Sequence, residues 1–326
     1  MRYVIIGNGV AGIHAAEAIR HLDADGPITL ISDESFPPYC RPMISLVLEG
    51  VAAREQLPVR SDRFYELLKI EPLLGERVVG LDTRNRTVSL PSGRVVPYDR
   101  LLIASGADPR PVTAPGSDLA GIFPMRTEAH VCAMLETLPR VKRALVLGGG
   151  LVGFKAAYGL LHRKIPVTML IRSGYPLSMQ VDQQAGRMIH DELVRKGLTV
   201  RVGVEVTGFE GNGRVQRAHL SDGTELSCDL VVVGKGVLPS RSFVPRDQVQ
   251  VDLGILVDDH LETSAPDVYA AGDVAESVDI ARKTRWVNAI WPEAVAQGRI
   301  AGMNMAGRKV AYRGSLGRNV IRIFGL

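Results

Sequence analysis

The sequence predicts an α/β chain of two parallel-sheet units, and three observations carry that expectation. A glycine-rich turn, Gly7-Asn8-Gly9-Val10-Ala11-Gly12, follows the apolar run Tyr3-Val4-Ile5-Ile6 and opens an alanine-rich helical stretch. The arrangement recurs at Gly148-Gly149-Gly150-Leu151-Val152-Gly153, entered from Ala144-Leu145-Val146-Leu147. The elements after each turn then repeat in similar order, a duplication of plan more than of sequence.

Each glycine of such a turn has its own task. The first lets the strand turn sharply, the second lets backbone N–H groups reach a pyrophosphate, and the third lets the helix pack on the sheet. Phosphates then sit at a helix N-terminus, where unpaired N–H groups and the helix dipole favour negative charge. A lone turn of this kind is weak evidence, but here both copies sit between a short buried strand and a helix. Gly7, Gly9 and Gly12 are therefore candidate cofactor-binding residues, and so are Gly148, Gly150, Leu151, Val152 and Gly153. Two nucleotide sites on one polypeptide suit the passage of electrons from one nucleotide to the other.

The copies differ where a ribose is read. The strand Ile28-Thr29-Leu30-Ile31 ends at Ser32-Asp33-Glu34, and Asp33 lies 21 residues past Gly12. That is the usual place for an acid that bonds ribose hydroxyls, with Glu34 beside it. The strand Val167-Thr168-Met169-Leu170 ends at Ile171-Arg172-Ser173, where the acid is missing and an arginine is near. This weakens a strict NADH preference and permits a 2′-phosphate, hence NADPH. A solvated surface charge accounts for Arg172 equally well.

In chain order, residues 1 to about 110 form the first unit. It holds a hairpin-like stretch over Glu76–Asp82 and Thr87–Leu90, the turn Pro91-Ser92-Gly93, and the strand Arg100–Gly106. A connector rich in proline and glycine, Asp108 to Gly121, leads to a second unit ending near Ser240. That unit has a helix over Gln183–Lys196, hairpins near Gly211-Asn212-Gly213 and Asp222-Gly223, and the strand Asp229–Gly234. The chain then returns to the first unit through Asp267–Asp273, a buried strand ending in Gly-Asp. A helix from near Pro292 toward Met305 follows, with proline well placed at a first helical position. The expected domains are residues 1–110 with 241–326, and residues 111–240.

The 326 residues, 46% of them hydrophobic, are enough for two packed domains. No apolar run reaches the ~18 residues of a membrane span. Val4 to Ile19 mimics a signal peptide, but its glycine spacing and the strand after it mark a strand-turn-helix, so a cytoplasmic protein is expected. Cys40, Cys132 and Cys228 are far apart, which argues against a local redox disulfide, and no Cys/His cluster has metal-ligand spacing. A net charge of +4 with a pI near 9.0 suits an acidic partner protein or plain solubility, and no aromatic-basic pattern suggests nucleic acid.

At these residues the chain resembles the pyridine nucleotide-disulfide oxidoreductase superfamily of two-dinucleotide-domain flavoproteins over nearly its whole length. Thr263–Asp273 is similar to that family's TxxxxVYAxGD segment, and Leu101-Leu102-Ile103-Ala104-Ser105-Gly106 to LLIATG, with Ser105 for threonine. Val233-Gly234-Lys235-Gly236-Val237-Leu238-Pro239 is similar to its GVxP segment. Within the superfamily, Pro38-Tyr39-Cys40-Arg41-Pro42-Met43-Ile44-Ser45 resembles the PYxRPxxS segment of rubredoxin reductases, ferredoxin reductases and nitrite-reductase-type NADH dehydrogenases.

The resemblance implies two Rossmann-like domains, the second inserted in the first, with FAD on the first turn and NADH or NADPH on the second. It implies that Gly272 lets backbone approach FAD and that Asp273 accepts from the ribityl chain. It places Val78 near adenine, Arg41 and Pro42 near FAD, and Trp291 and Ala294 at the flavin, where the helix N-terminus would favour negative charge. Ala104, Ser105, Gly106 and Gly236 join the cofactor set through the same motifs. Trp291 also reads as an ordinary core aromatic.

Departures from the family pattern matter as well. Leu46 stands where several such reductases carry a lysine, and Pro42 where the peroxidase and oxidase relatives carry a redox cysteine; Cys40 is two residues off and takes no such role. Lys155 stands where many relatives have a glutamate near the nicotinamide, which makes it the one catalytic candidate, against the alternative of a lysine reaching solvent. The chain ends at Phe324-Gly325-Leu326, inside an NxxxxFG segment that begins the relatives' C-terminal interface domain, so that domain is expected absent or truncated and a homodimer is left open.

The expected function is an FAD-dependent NAD(P)H:acceptor oxidoreductase that passes hydride to flavin and electrons to a small carrier of rubredoxin or iron–sulfur type. An oxygen-using oxidase and a non-turnover redox-sensing flavoprotein subunit are the alternatives.

Overall fold

Short unbroken runs of valine, isoleucine and leucine dictate strands buried on both faces, the signature of parallel sheets covered by helices. In the computed structural model, which describes residues 1–318 together with Val320 and Phe324, two such sheets form. They belong to two units. The first is made of residues 1–40, 58–108 and 239–319, and the second is built chiefly of 41–57 and 109–238.

The first sheet runs Val268–Ala270, Arg100–Ile103, Tyr3–Ile6, Ile28–Ser32, Ile70–Leu74. Every pairing in it is parallel, with Tyr3 opposite Ile28 on one side and Arg100 on the other. The second sheet runs Thr199–Val202, Val167–Ile171, Ala144–Leu147, Leu230–Val233, Ile122–Pro124, with Ala144 opposite Val167 and Leu230. In both, the strand before the glycine turn is central, with the next strand of the unit on one side and a later one on the other. That reversal is the switch point at which open α/β sheets bind ligands.

Two helices pack on the first sheet almost backbone to backbone. Val10–Leu22 follows the first turn, and Trp291–Met305 lies beside it. A Cβ built on Gly298 would come 2.1 Å from the Ala11 carbonyl oxygen, and one on Gly302 would come 2.4 Å from that of Ala15. These contacts advance in the same direction along both helices, so the helices are parallel and both N-termini point to one end.

Two features differ from expectation. Glu76–Val79 is irregular; the strand begins at Gly80, and Gly80–Asp82, Thr87–Ser89 and Val95–Pro97 form a three-stranded antiparallel sheet. The reason is a change of partner: Glu76 N–H donates to Ser32 O (2.8 Å), whereas Val79 N–H donates to Ser89 O (3.0 Å).

The second feature is the segment Arg41–Leu57, which packs within the second unit. Its helix Ile44–Glu49 ends at Gly50 in the left-handed region. Arg163 donates to the carbonyls of Leu48 and Val47, capping it.

Among the described residues no helix is long and apolar enough to cross a membrane. Among the described residues no cysteine forms a disulfide. The Asn319–Gly325 stretch similar to the NxxxxFG segment lies largely outside the described residues.

Candidate nucleotide sites

The two glycine turns share one geometry. Gly7 has φ +121°, and a Cβ there would lie 2.1 Å from the Ala104 carbonyl oxygen; Gly148 has φ +111°, and its Cβ would lie 2.4 Å from that of Gly234. A Cβ on Gly12 would meet Gly7 O at 1.9 Å, and one on Gly153 would meet Gly148 O at 2.1 Å. Side chains are excluded at these four positions by backbone. At Gly9 and Gly150 the space is open, with nothing within 4 Å of a built Cβ. Both residues cap helices, Val10–Leu22 and Leu151–His162, without a side-chain cap. Each turn therefore presents an uncapped helix N-terminus across an open face, the arrangement that binds a pyrophosphate.

In the first unit Gly7, Asp33, Val78 and Ser105 line one cleft, together with Arg77 and Phe243. Asp33 pairs with Arg77 at 3.5 Å, and Arg77 also reaches Asp108 at 3.2 Å. Ser105 Oγ donates to Ser240 O (2.6 Å), and Ser240 N–H donates to Gly106 O (3.0 Å), which fixes the cleft floor. Ala104 is buried, its N–H on Ile6 O (2.7 Å). Glu34 lies outside this lining, and its carboxylate accepts the Tyr39 hydroxyl at 2.7 Å.

Gly272 (φ +80°) sits against Ala11 and Ala294, whose Cβ atoms lie 3.2 and 3.6 Å from a built Cβ. Its N–H donates to Gln297 Oε1 at 2.7 Å. Gln297 is 2% exposed, and its Nε2 donates to Ser277 Oγ and to the Tyr312 hydroxyl, each at 3.3 Å. Tyr312 in turn donates to Glu293. Burial, helped by that carboxylate, pushes the Tyr312 phenol far above its ordinary range. Asp273 follows Gly272 directly and is part-buried. Trp291, also part-buried, is the first residue of a helix whose N-cap, Ile290, supplies no side-chain cap.

In the second unit Leu151 and Val152 open the helix after the turn, and Gly236 (φ +91°) accepts Arg110 N–H at 2.9 Å. Ile171 is buried and Arg172 exposed. Arg41 and Pro42 also lie in this unit rather than in the first: Arg41 donates to Arg126 O (2.8 Å), and Lys155 Nζ donates to Pro42 O (3.4 Å).

The sequence reading passed over Gln297, Arg77 and Phe243. Gln297 carried a usable signal, since a glutamine among Ala294, Gly298, Ala301 and Gly302 on a buried helix face must find partners.

The family described as pyridine nucleotide-disulphide oxidoreductase matches residues 1–298. The chain belongs to this family. It is 33% identical over 276 residues to the assimilatory nitrate reductase electron transfer subunit of Bacillus subtilis, covering 84% of this chain and 36% of that protein. It is 33% identical over 326 residues to the NADH-dependent phenylglyoxylate dehydrogenase subunit epsilon of Aromatoleum evansii, covering 99% and 77%. It thus spans about a third of the first relative's length. Among solved structures, the ferredoxin reductase for the CYP199A2 system from Rhodopseudomonas palustris superposes with a TM-score of 0.90 at 29% identity, covering 96% of this chain and 78% of that one.

Members of this family contain FAD and use NADH or NADPH. The residues present fit a dinucleotide in each unit: backbone excludes side chains where the turn must be tight, and open space lies where phosphate must approach.

Proposed function

We propose that the chain is an FAD-dependent NAD(P)H:acceptor oxidoreductase, with FAD held by the first unit and the nicotinamide nucleotide by the second. The observation that carries this reading is the repeated glycine turn with an uncapped helix N-terminus, twice in one chain. When bound, FAD supplies a centre that takes two electrons from reduced nicotinamide and returns them singly or in pairs.

The chain's own residues then have defined tasks. The N–H groups at the start of Val10–Leu22 hold the pyrophosphate, and Asp33 accepts from a ribose hydroxyl. Val78 borders adenine with its backbone. Asp273 accepts from the ribityl chain, its turn held by Gln297 through Gly272. The N-terminus of Trp291–Met305 directs the positive end of a helix dipole at the flavin, favouring negative charge there. Lys155 holds the carbonyl of Pro42, a positioning role.

The acceptor we propose is a small acidic electron carrier of rubredoxin or iron–sulfur type. Residues 41–57 and 109–238 hold 18 Lys and Arg against 13 Asp and Glu, while the first unit holds 20 against 22. The basic excess therefore sits in the second unit, where it would steer an acidic protein. The electron-transfer and ferredoxin-reductase names of two relatives support the same class.

The test is reoxidation. Protein reduced anaerobically and mixed with an oxidised rubredoxin or iron–sulfur carrier should regain its flavin absorbance faster than in air-saturated buffer. Fast recovery in air with no recovery by carriers would overturn the carrier reading in favour of an oxidase.

A further inference from the structure

The backbone equates two ribose positions within this one chain. In the first unit Gly7 N–H donates to Ile31 O at 2.7 Å; in the second Gly148 N–H donates to Leu170 O at 2.8 Å. Strand register agrees, with Ile6 opposite Ile31 and Leu147 opposite Leu170. Leu170 is therefore the counterpart of Ile31, Ile171 of Ser32, and Arg172 of Asp33. Counting from the glycines hides the match, because 19 positions separate Gly12 from Ile31 but 17 separate Gly153 from Leu170.

At this shared station one unit carries a carboxylate and the other a guanidinium. Asp33 is answered by Arg77. Arg172 is exposed and has no hydrogen bond or ion pair among the described residues. The residue before it supplies no acid either: Ile171 is 1% exposed, and its side chain lies 2.8 Å from a Cβ built on Gly149.

The loop that carries Arg172 is tied at both ends. Gly203 N–H donates to Ile171 O (2.8 Å), and Leu177 N–H donates to Gly149 O (2.9 Å), which holds the loop to the glycine turn. Ser173 Oγ closes it internally on Tyr175 O (2.9 Å). A fixed loop thus sets an unpaired cation beside an open helix N-terminus, with no carboxylate at residues 171–173 to accept from a ribose diol. Guanidinium forks match phosphate oxygens, and charge-assisted bonds of this kind are the strong ones.

We infer that the second unit selects the 2′-phosphorylated nucleotide, NADPH, over NADH, and that Arg172 reads the 2′-phosphate. This rests on the reading that the second unit binds a nicotinamide nucleotide, and it sets the chain apart from the relative named NADH-dependent.

The test uses fragments that cannot react. Calorimetry on the purified flavoprotein compares 2′,5′-ADP with 5′-ADP, for the natural chain and for Arg172→Ala. The expected result is binding of 2′,5′-ADP tighter by about tenfold or more. In Arg172→Ala that advantage should fall to about twofold or less while 5′-ADP affinity stays unchanged. Equal affinity for both fragments, or a variant that weakens both alike, overturns the inference and leaves the nucleotide reading standing. If neither fragment binds, the nucleotide reading falls with it.

Discussion

Gln297 shows how a single buried amide sets the geometry of a turn. Its oxygen takes the Gly272 N–H, and its nitrogen bridges Ser277 and Tyr312. Gln297→Leu keeps similar bulk but leaves that N–H without a partner, a cost of about 1–3 kcal/mol. We expect lower urea stability and faster loss of FAD; destabilisation with unchanged FAD dissociation would contradict the positioning role.

The cysteines lead to a second prediction at this scale. Burial and the Glu128 carboxylate, which accepts the Cys132 thiol at 2.8 Å, push Cys132 up to about 11, and burial pushes Cys228 up to about 12. Attack requires a thiolate, so neither should alkylate in native protein at pH 8, and Cys132 should label only as the pH approaches 11. Because the folded state holds these protons more tightly than a free thiol near 9.0, their stabilisation is complete below pH 9. It is lost as the pH rises through 11 to 12. Mass-spectrometric labelling against pH checks this.

The turn glycines were legible in the sequence because only glycine satisfies backbone contacts of about 2 Å. The exchange of Asp33 for an arginine at the second ribose station was legible too, but the ties that fix the Arg172 loop to the glycine turn were not, because they depend on the backbone of Leu177 and Gly203.

Among elements, Val10–Leu22 and Trp291–Met305 pack in parallel almost backbone to backbone. In an exposed helix, glycine to alanine gains about 1 kcal/mol. At Gly298 the new methyl would sit 2.1 Å from Ala11 O, and overpacking of this kind costs about 1–3 kcal/mol. The clash is with backbone, which cannot swing aside, so we expect the cost to win. Gly298→Ala should lower the denaturant midpoint, and a raised midpoint would show that the helices have room to separate.

The buried strands were legible as unbroken apolar runs of four or five residues. Glu76–Val79 was misread because Val78-Val79 has strand composition, while the chain there changes hydrogen-bond partner between two sheets. The grouping of Arg41–Leu57 was illegible for another reason: it depends on Arg163, more than a hundred residues away in the chain.

For the whole molecule, the basic excess of the second unit makes a kinetic prediction. Steered association falls steeply with ionic strength, as the screening length shrinks from about 10 Å at 0.1 M to about 3 Å at 1 M. Reduction of an acidic carrier should slow by about tenfold or more between low and high salt, while reduction of a small neutral acceptor should not. A salt-independent carrier rate would remove charge steering from the account.

The central claim is that two nucleotide sites on one chain exchange electrons, and an anaerobic titration of flavin absorbance tests it most directly. About one equivalent of reduced nicotinamide nucleotide should bleach one equivalent of bound flavin, with NADPH effective at lower concentration than NADH. A chain that holds its flavin, binds the nucleotide and stays yellow with both would contradict the claim and describe a flavoprotein that does not turn over.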